Sequence, residues 1–509
     1  MLPRSDSPPP EAQLLKKPKP FPSAIVAASS TLDHSRMSTA AAVQPLHLPP
    51  RHLAGLVIAI LALQLLLILS ARSLPPPSLH LLQNHPPIPP ISTPAASGPC
   101  AAGLVYVYDL PPMFNKDVLA ACADLNPWAS RCTALSNGGF GPPAADLAGV
   151  VPPHLLPSWY STDQFAAELI FHHRMLAHRC RTRDPSAAAA FYVPFYAGLT
   201  VGRHLWSPNS TSGDRDRDRD CALLLRWIRD QPPWRRSNGW DHFITLGRIT
   251  WDFRRSREGD WGGSFLYMPG MENVTRLLIE RNPWDGKDVG IPYPTGFHPR
   301  TAAEVKEWQR FVLGRSRPTL FSFAGAARAG FKDDFRGLLL GECRRAGRKC
   351  RSVDCGGGRC GNRSAETVSL FLDSTFCLQP RGDSFTRRSM FDCMVAGAVP
   401  VLFWRRSAYV QYGWYLAGVE DWSVFIDRTE VRSGAVSVRG VLERIGEERA
   451  KKMREKVVEL IPRLVYAAAE GGLGEGMEDA LDVAVDGVLR GFRDRKRRSG
   501  EGVTVLGKG

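Results

Sequence analysis

The sequence predicts an α/β protein of parallel βαβ units, carried behind an N-terminal membrane anchor. Three observations predict it. Short β-branched or aromatic strands alternate with helical patterns from about residue 100 onward. One stretch, residues 375–403, shows strand, polar Gly loop, helix and second strand in unbroken succession. A run of 19 residues without charge, 53–71, precedes all of this.

The anchor comes first in the chain. Residues 53–71 contain only Gln64 and Ser70 as polar side chains, and at 1.5 Å per residue they reach about 28 Å, close to the hydrocarbon thickness. Arg4, Lys16, Lys17, Lys19, Arg36 and Arg51 lie before the run, while residues 73–100 hold no Lys, Arg, Asp or Glu. That asymmetry puts residues 1–52 in the cytosol. The competing reading is a cleaved signal peptide ending near Ala71-Arg72-Ser73, but the segment before the run is far longer than a signal n-region. Residues 72–100 form a stem, since residues 73–99 carry nine prolines and no charge.

Everything beyond Cys100 is then expected in the lumen of the secretory pathway. Asn209, Asn273 and Asn362 head glycosylation sequons. All 11 cysteines lie at or after the end of the stem, and Cys343, Cys350, Cys355 and Cys360 cluster without C-x-x-C spacing. Disulfides are expected there, with at least one thiol left over because the count is odd. The net charge of +15 fits acidic ligands such as nucleotide sugars, or a basic tail at residues 493–498. A nucleic-acid partner is not expected, since no basic stripe interleaved with aromatics appears.

Strands are predicted at residues 104–108, 191–195, 242–246, 319–323, 375–380 and 399–403, and helices at about 162–178 and 386–396. Pro-rich turns around residues 293–318 mark a hinge between an acceptor-side half, 101–300, and a donor-side half, 301–470. A helical end follows over 471–509, reading as disordered from Arg495. The junction after Gly382 carries Ser384, Thr386, Arg387 and Arg388 where a loop meets a helix. Free N–H groups and the helix dipole make such a junction an anion site, although Ser384 or Thr386 capping the helix is the plainer alternative.

Two further motifs are weighed down by their context. Asp214, Asp216, Asp218 and Asp220 alternate with arginines, which neutralise what would otherwise suggest a divalent-metal site; a solvated insertion loop is expected instead. Arg381-Gly382-Asp383 spells an adhesion signal but sits between a strand and a helix.

Taken together, residues 105–111, 241–243 with 247–253, 323–328, 376–401 and 423–426 resemble the plant exostosin-like glycosyltransferases of family 47, and within them the xyloglucan galactosyltransferases. The resemblance implies two Rossmann-like domains facing a cleft, the GT-B arrangement. It implies a Golgi membrane protein of type II that moves galactose from UDP-galactose to a xylosyl side chain of xyloglucan. Inversion, no metal and no cofactor are implied, and complexes with other Golgi transferases are expected. Trp240 departs from the pattern of relatives, as do Arg381, Ala398 and Val399.

Inverting transfer needs a base at the acceptor hydroxyl and positive charge around the leaving diphosphate. Asp241, His242 and Asp252 are the candidates for the base, each with a structural alternative as turn former, core histidine or arginine partner. Arg328, Ser384, Thr386, Arg387 and Arg388 are the candidates for the diphosphate, and Asp392 for the ribose, unless it is a helix-surface charge. Another UDP-sugar or wall polysaccharide, or a non-catalytic lumenal carbohydrate-binding subunit, remains open beside this reading. A glycoside hydrolase fits less well, lacking need for a phosphate site.

Overall fold

Both sheets of the computed structural model are parallel throughout, as the nearly continuous apolar runs of their strands require. The structure describes Gln64 and residues 100–506, without 127–128, 206–216, 257–260, 329, 331–333, 357–359, 361–363 and 475. The described residues from Cys100 on belong to one compact unit. The anchor, the stem, Asn209, Asn362, Asp214 and Asp216 lie outside the described residues, Gln64 excepted. Among the described residues no helix is long and apolar enough to cross a membrane.

The first sheet contains β1 (Leu104–Val107), β2 (Arg181–Thr182), β3 (Ala188–Val193), β4 (His242–Ile249), β5 (Thr275–Glu280) and β6 (Asp288–Gly290), ordered β2-β1-β3-β4-β5-β6. The second contains β7 (Thr319–Ala324), β8 (Cys350–Val353), β9 (Ser374–Gln379), β10 (Val399–Leu402) and β11 (Val424–Phe425), ordered β11-β10-β9-β7-β8. The division falls within the Pro-rich turns. Helix α1 (Ala302–Gly314) begins the second half, capped by the Thr301 hydroxyl, which accepts from the Glu304 amide.

The carboxyl edges of the two sheets meet. The turn after β4 brings Trp251 to Ser384, its Nε1 donating to Oγ at 3.0 Å. The last residue of β5, Glu280, accepts from the Phe385 amide at 2.8 Å. Other contacts tie the halves behind this edge. Trp308 on α1 packs against Trp159 and Phe297 and donates to the Val395 carbonyl. A Cβ on Gly290 would meet the Gln411 carbonyl at 2.3 Å, so only glycine allows the second half this close to β6.

Cysteine pairing follows the expectation of disulfides: Cys100–Cys180, Cys122–Cys132, Cys343–Cys350, Cys355–Cys360 and Cys377–Cys393 are bonded, and Cys221 is free and buried. The last pair joins β9 to the helix that follows its loop.

Three readings need correction. The helical C-terminal stretch is several helices, and the last, α2 (Ala480–Leu506), continues past Arg495 where disorder was expected. It packs back on β3 of the first sheet, while Arg174 pairs with Asp479 just before it in full burial. Asp218 is no part of a solvated loop: its carboxylate accepts from the Ser264 amide and hydroxyl and pairs with Arg255 at 2.6 Å. Thr162 and Asp163 cap no helix, for helical geometry begins only at Ala167. The Thr162 hydroxyl instead donates to the Phe140 carbonyl.

Candidate active site

The loop between β9 and helix α3 (Arg388–Val395) turns tightly at Gly382, where a Cβ would meet the Thr386 carbonyl at 2.3 Å. Around it the fold gathers Arg328, Arg336, Arg381 and Arg387. Arg328 reaches in from the loop after β7 and donates to the Gly382 carbonyl at 2.6 Å and to Asp383 at 2.5 Å. Arg387 is held from below: its Nη2 donates to the Ala324 carbonyl at 2.8 Å, and its guanidinium lies over the Phe323 ring. Arg336 opens the helix Phe335–Ala346. Asp334 caps that helix and fixes Arg328 by accepting its amide at 2.7 Å.

Two of these cations, Arg336 and Arg387, are under-compensated. Burial pushes the Arg387 guanidinium down to about 9, and the Arg336 charge beside it adds to the push. Burial and Arg328 likewise lower Arg336, and burial, Arg328 and Arg428 lower Arg381. Arg387 Nη1 and Arg336 Nε are buried without a hydrogen-bond partner among the described residues. The carboxylate that faces them, Asp383, is 94% exposed and weakened by solvent screening. Buried donors without acceptors, on charges that repel one another, are chemistry suited to an anion.

Glu280 stands on the opposite side of the loop and was not singled out from the sequence. It is buried at the end of β5, accepting from Tyr293 Oη at 2.7 Å and from the Phe385 amide at 2.8 Å. Burial pushes its carboxyl up to about 7, against the hydrogen bonds of Tyr293, Ser384, Thr386 and Phe385. The signal that could have found it is a lone glutamate closing the short apolar run 277–279, just before the turn Asn282-Pro283. Polar residues at the carboxyl ends of parallel strands are where such sheets place ligands. Aromatic rings line the same edge: Phe385 lies 5.8 Å from Trp251, 6.3 Å from Trp284 and 5.2 Å from Trp404. Trp284 is 49% exposed and carries Arg406 over its face.

The expected site residues divide. Arg328, Ser384 and Arg387 are brought together at the loop. Ser384 accepts from Trp251 and Thr386 donates to the Ser407 carbonyl, so the Thr386 hydroxyl is already engaged. Arg388 points elsewhere: it pairs with Asp392 at 3.1 Å, four residues on, and donates to the Thr162 carbonyl of the first half. Arg388 is thus a strap between halves and Asp392 its counter-ion, correcting the placement of both at the nucleotide. The Asp392 carboxyl is raised by burial and lowered by Arg388.

Asp241 and His242 are at the wrong end of their strand. His242 begins β4, so the pair lies on the order of 26 Å from the carboxyl edge, at ~3.3 Å per residue over the eight residues of the strand. His242 Nδ1 bonds Asp241 Oδ1 at 2.7 Å and Nε2 bonds Tyr108 Oη at 2.8 Å, with Phe191 and Tyr108 stacked on the ring. Trp240 falls at this same remote edge. Asp252 does lie at the carboxyl edge, but it accepts from Arg248 at 2.7 Å and from Trp261 at 2.9 Å. Asn273 is half-buried at the start of β5, its amide donating to the Asn238 carbonyl.

Comparison with known proteins gives the chain its family. The Exostosin GT47 domain matches residues 99–442. Xyloglucan galactosyltransferase XLT2 of Arabidopsis thaliana is 54% identical over 472 residues, 88% of this chain and 89% of that one. Xyloglucan galactosyltransferase MUR3 of the same plant is 43% identical, covering 77% of this chain and 63% of its own length. Xyloglucan-specific galacturonosyltransferase 1, also from Arabidopsis thaliana, is 41% identical, covering 77% and 58%. A solved glycosyltransferase from Rickettsia africae aligns at 9% identity over 64% of this chain and 94% of its own, with a TM-score of 0.31, too little to bear on the fold. With a family domain covering most of the chain and close relatives throughout it, the chain belongs to the exostosin GT47 family of glycosyltransferases.

Proposed function

We propose that the chain moves galactose from UDP-galactose to a xylosyl side chain of xyloglucan, with inversion at the anomeric carbon and without a metal. The observation that carries the reading is the pair of buried guanidiniums Arg336 and Arg387 beside Gly382, with Nε and Nη1 unspent and Arg328 next to them, near Glu280 on the same loop. Guanidiniums with unspent donors supply the positive charge that a leaving diphosphate needs. Their charge rises in value as the sugar–phosphate bond breaks, so the contribution falls on the transition state more than on binding.

Glu280 replaces Asp241 and His242 as the candidate base. A carboxyl raised to about 7 matches the proton it must take near neutral pH. Ser384 and Phe385, which hold it, belong to the donor loop, so donor binding and exposure of the base are coupled through one segment. Trp284, half exposed at the same edge, offers an aromatic ring to the acceptor sugars.

The relatives named as xyloglucan galactosyltransferases support the acceptor and the sugar. A Golgi membrane location with the enzyme domain in the lumen is supported by the apolar run 53–71, its basic flank and the five disulfides. The galacturonosyltransferase relative makes UDP-galacturonic acid the donor to set against UDP-galactose. The test is transfer by the full chain in detergent, with UDP-galactose, UDP-galacturonic acid, UDP-glucose and UDP-xylose, onto galactose-free xyloglucan, with and without EDTA. Transfer of galactose that survives EDTA is expected. UDP binding without transfer of any sugar would make the chain a non-catalytic glycan-binding subunit.

A further inference from the structure

A second site lies away from the donor loop. Tyr106 on β1, Tyr108 just beyond it and Trp227 on the helix Arg219–Arg229 line a cavity of about 330 Å³, together with Asp109, Gln231 and Arg236. The volume is within the range of small-ligand sites. Tyr108 meets Tyr106 at 5.5 Å and Trp227 at 5.9 Å between ring centroids, both edge to face, so the walls are rigid rings set at angles. Tyr106 and Trp227 are half-buried, packed on the first sheet's core yet open to the cavity. Tyr108 is fixed from behind by His242, and His242 by Asp241. The buried Asp241–His242–Tyr108 chain, which the reaction does not use, therefore sets the floor of this cavity.

The lining chemistry selects the occupant. Asp109 and Arg236 are exposed and form no ion pair among the described residues. With one carboxylate and one guanidinium in its lining the cavity carries no net charge from these two, which disfavours an anionic nucleotide and favours a neutral ligand that both accepts and donates hydrogen bonds. Aromatic faces beside such groups suit the alternating C–H and O–H surfaces of pyranose rings. Tyr108 stacks on His242 at the amino end of β4, about 26 Å from the reacting edge by strand length. The ligand cannot therefore be the sugar being substituted. We infer that this cavity binds a neutral glucan segment of the polymeric acceptor, several sugars away from the residue that receives galactose.

The inference rests on xyloglucan being the acceptor, and the test separates the two. The full chain and its Trp227→Ala, Trp227→Phe and Asp109→Asn variants are run in native gels cast with and without xyloglucan, and assayed on polymeric xyloglucan and on an oligosaccharide of one repeat. Retardation by the polymer should be lost in Trp227→Ala, weakened in Asp109→Asn and kept in Trp227→Phe. KM for the polymer should rise about tenfold while kcat, and both constants for the oligosaccharide, stay as in the parent. Equal retardation of parent and Trp227→Ala would overturn the site, whatever the enzyme transfers. A parallel loss on both acceptors would also overturn it, marking the cavity as part of the fold. Asp109 is exposed, so its variant reads the site even where Trp227→Ala melts early. Should no sugar be transferred to xyloglucan, the functional reading fails and the gel decides the cavity alone.

Discussion

The two ends of β4 and its neighbours hold buried acidic networks that look alike in sequence and do different things. At the amino end, Asp241, His242 and Tyr108 are satisfied by one another and by stacked rings of their own half. At the carboxyl end, Glu280 is satisfied by Tyr293 and by the loop of the other half, opposite guanidiniums that lack acceptors. A closed network is complete as it stands. An open one, spanning two halves, changes when a ligand arrives. That difference, more than burial or a shifted titration, separates a structural polar cluster from a reactive one.

The largest effect is expected at Glu280. Glu280→Gln should lower kcat by about a hundredfold to ten-thousandfold, the usual range for a positioned base. Parent activity should rise with pH through about 7 as the carboxyl ionises, and the variant should lose that limb. The stability sign is opposite. A carboxyl raised in the folded state binds its proton more tightly there than when unfolded. Its share of stability is complete below the ordinary carboxylate range and declines as pH rises to about 7. Melting temperature across pH 4.5 to 7 should thus fall less steeply in Glu280→Gln, with Glu168, also raised to about 7 by burial, keeping part of the slope. An unchanged pH–rate profile in the variant would remove Glu280 from proton transfer.

Arg387 comes next. Arg387→Ala should lower kcat/KM by roughly a hundred- to a thousandfold, or ~2.7–4 kcal/mol, with weaker UDP binding in a titration. Arg387→Lys should recover only part, since an ammonium cannot hold the Ala324 carbonyl and a phosphate in one plane. UDP affinity that stays intact in a folded Arg387→Ala protein would dissolve the anion site.

Arg388 discriminates between the two regions from the other side. Arg388→Met should cost stability, about 1.5–3 kcal/mol for a charge-assisted bond, because the Thr162 carbonyl and Asp392 lose their partner. UDP affinity should remain within about twofold, well under the ~1.4 kcal/mol that a tenfold change represents. The smallest effect on catalysis is expected at the amino end. Asp241→Asn should leave turnover on a short acceptor near the parent and lower the melting temperature by about 1 °C, for a buried hydrogen bond of ~1 kcal/mol. A large loss of turnover there would erase the contrast between the ends.

Much of this was readable beforehand. The strand–loop–helix around Gly382, the alternation of parallel units and the expectation of disulfides with a thiol left over rest on local chemistry; which cysteine joins which, Cys100 to Cys180 among them, came only with the fold. Such chemistry includes glycine at a turn and β-branched runs, and it acts over a few residues. Arg328 and Arg387 could be named because they flank strand ends. Arg388 could not be told from Arg387, since the helix begins between them, Arg387 as its extended cap and Arg388 as its first residue, and only packing decides which faces the loop. Asp241 and His242 misled because a histidine beside an aspartate reads the same at either end of a strand.

What the sequence determined by itself is the class of each segment: an uncharged membrane-length run, a charge-free proline stem, parallel α/β units, and a glycine junction suited to an anion. Periodicity, turn residues and charge act locally and need no partner. The tertiary structure alone decided which edge of the first sheet faces the second. With that choice Glu280 comes to the edge where the halves meet, Asp241 and His242 lie at the other end of their strand, and Arg388 becomes a strap. Strand direction and the meeting of two carboxyl edges are long-range facts, set by how two buried surfaces 100 or more residues apart come to share a core.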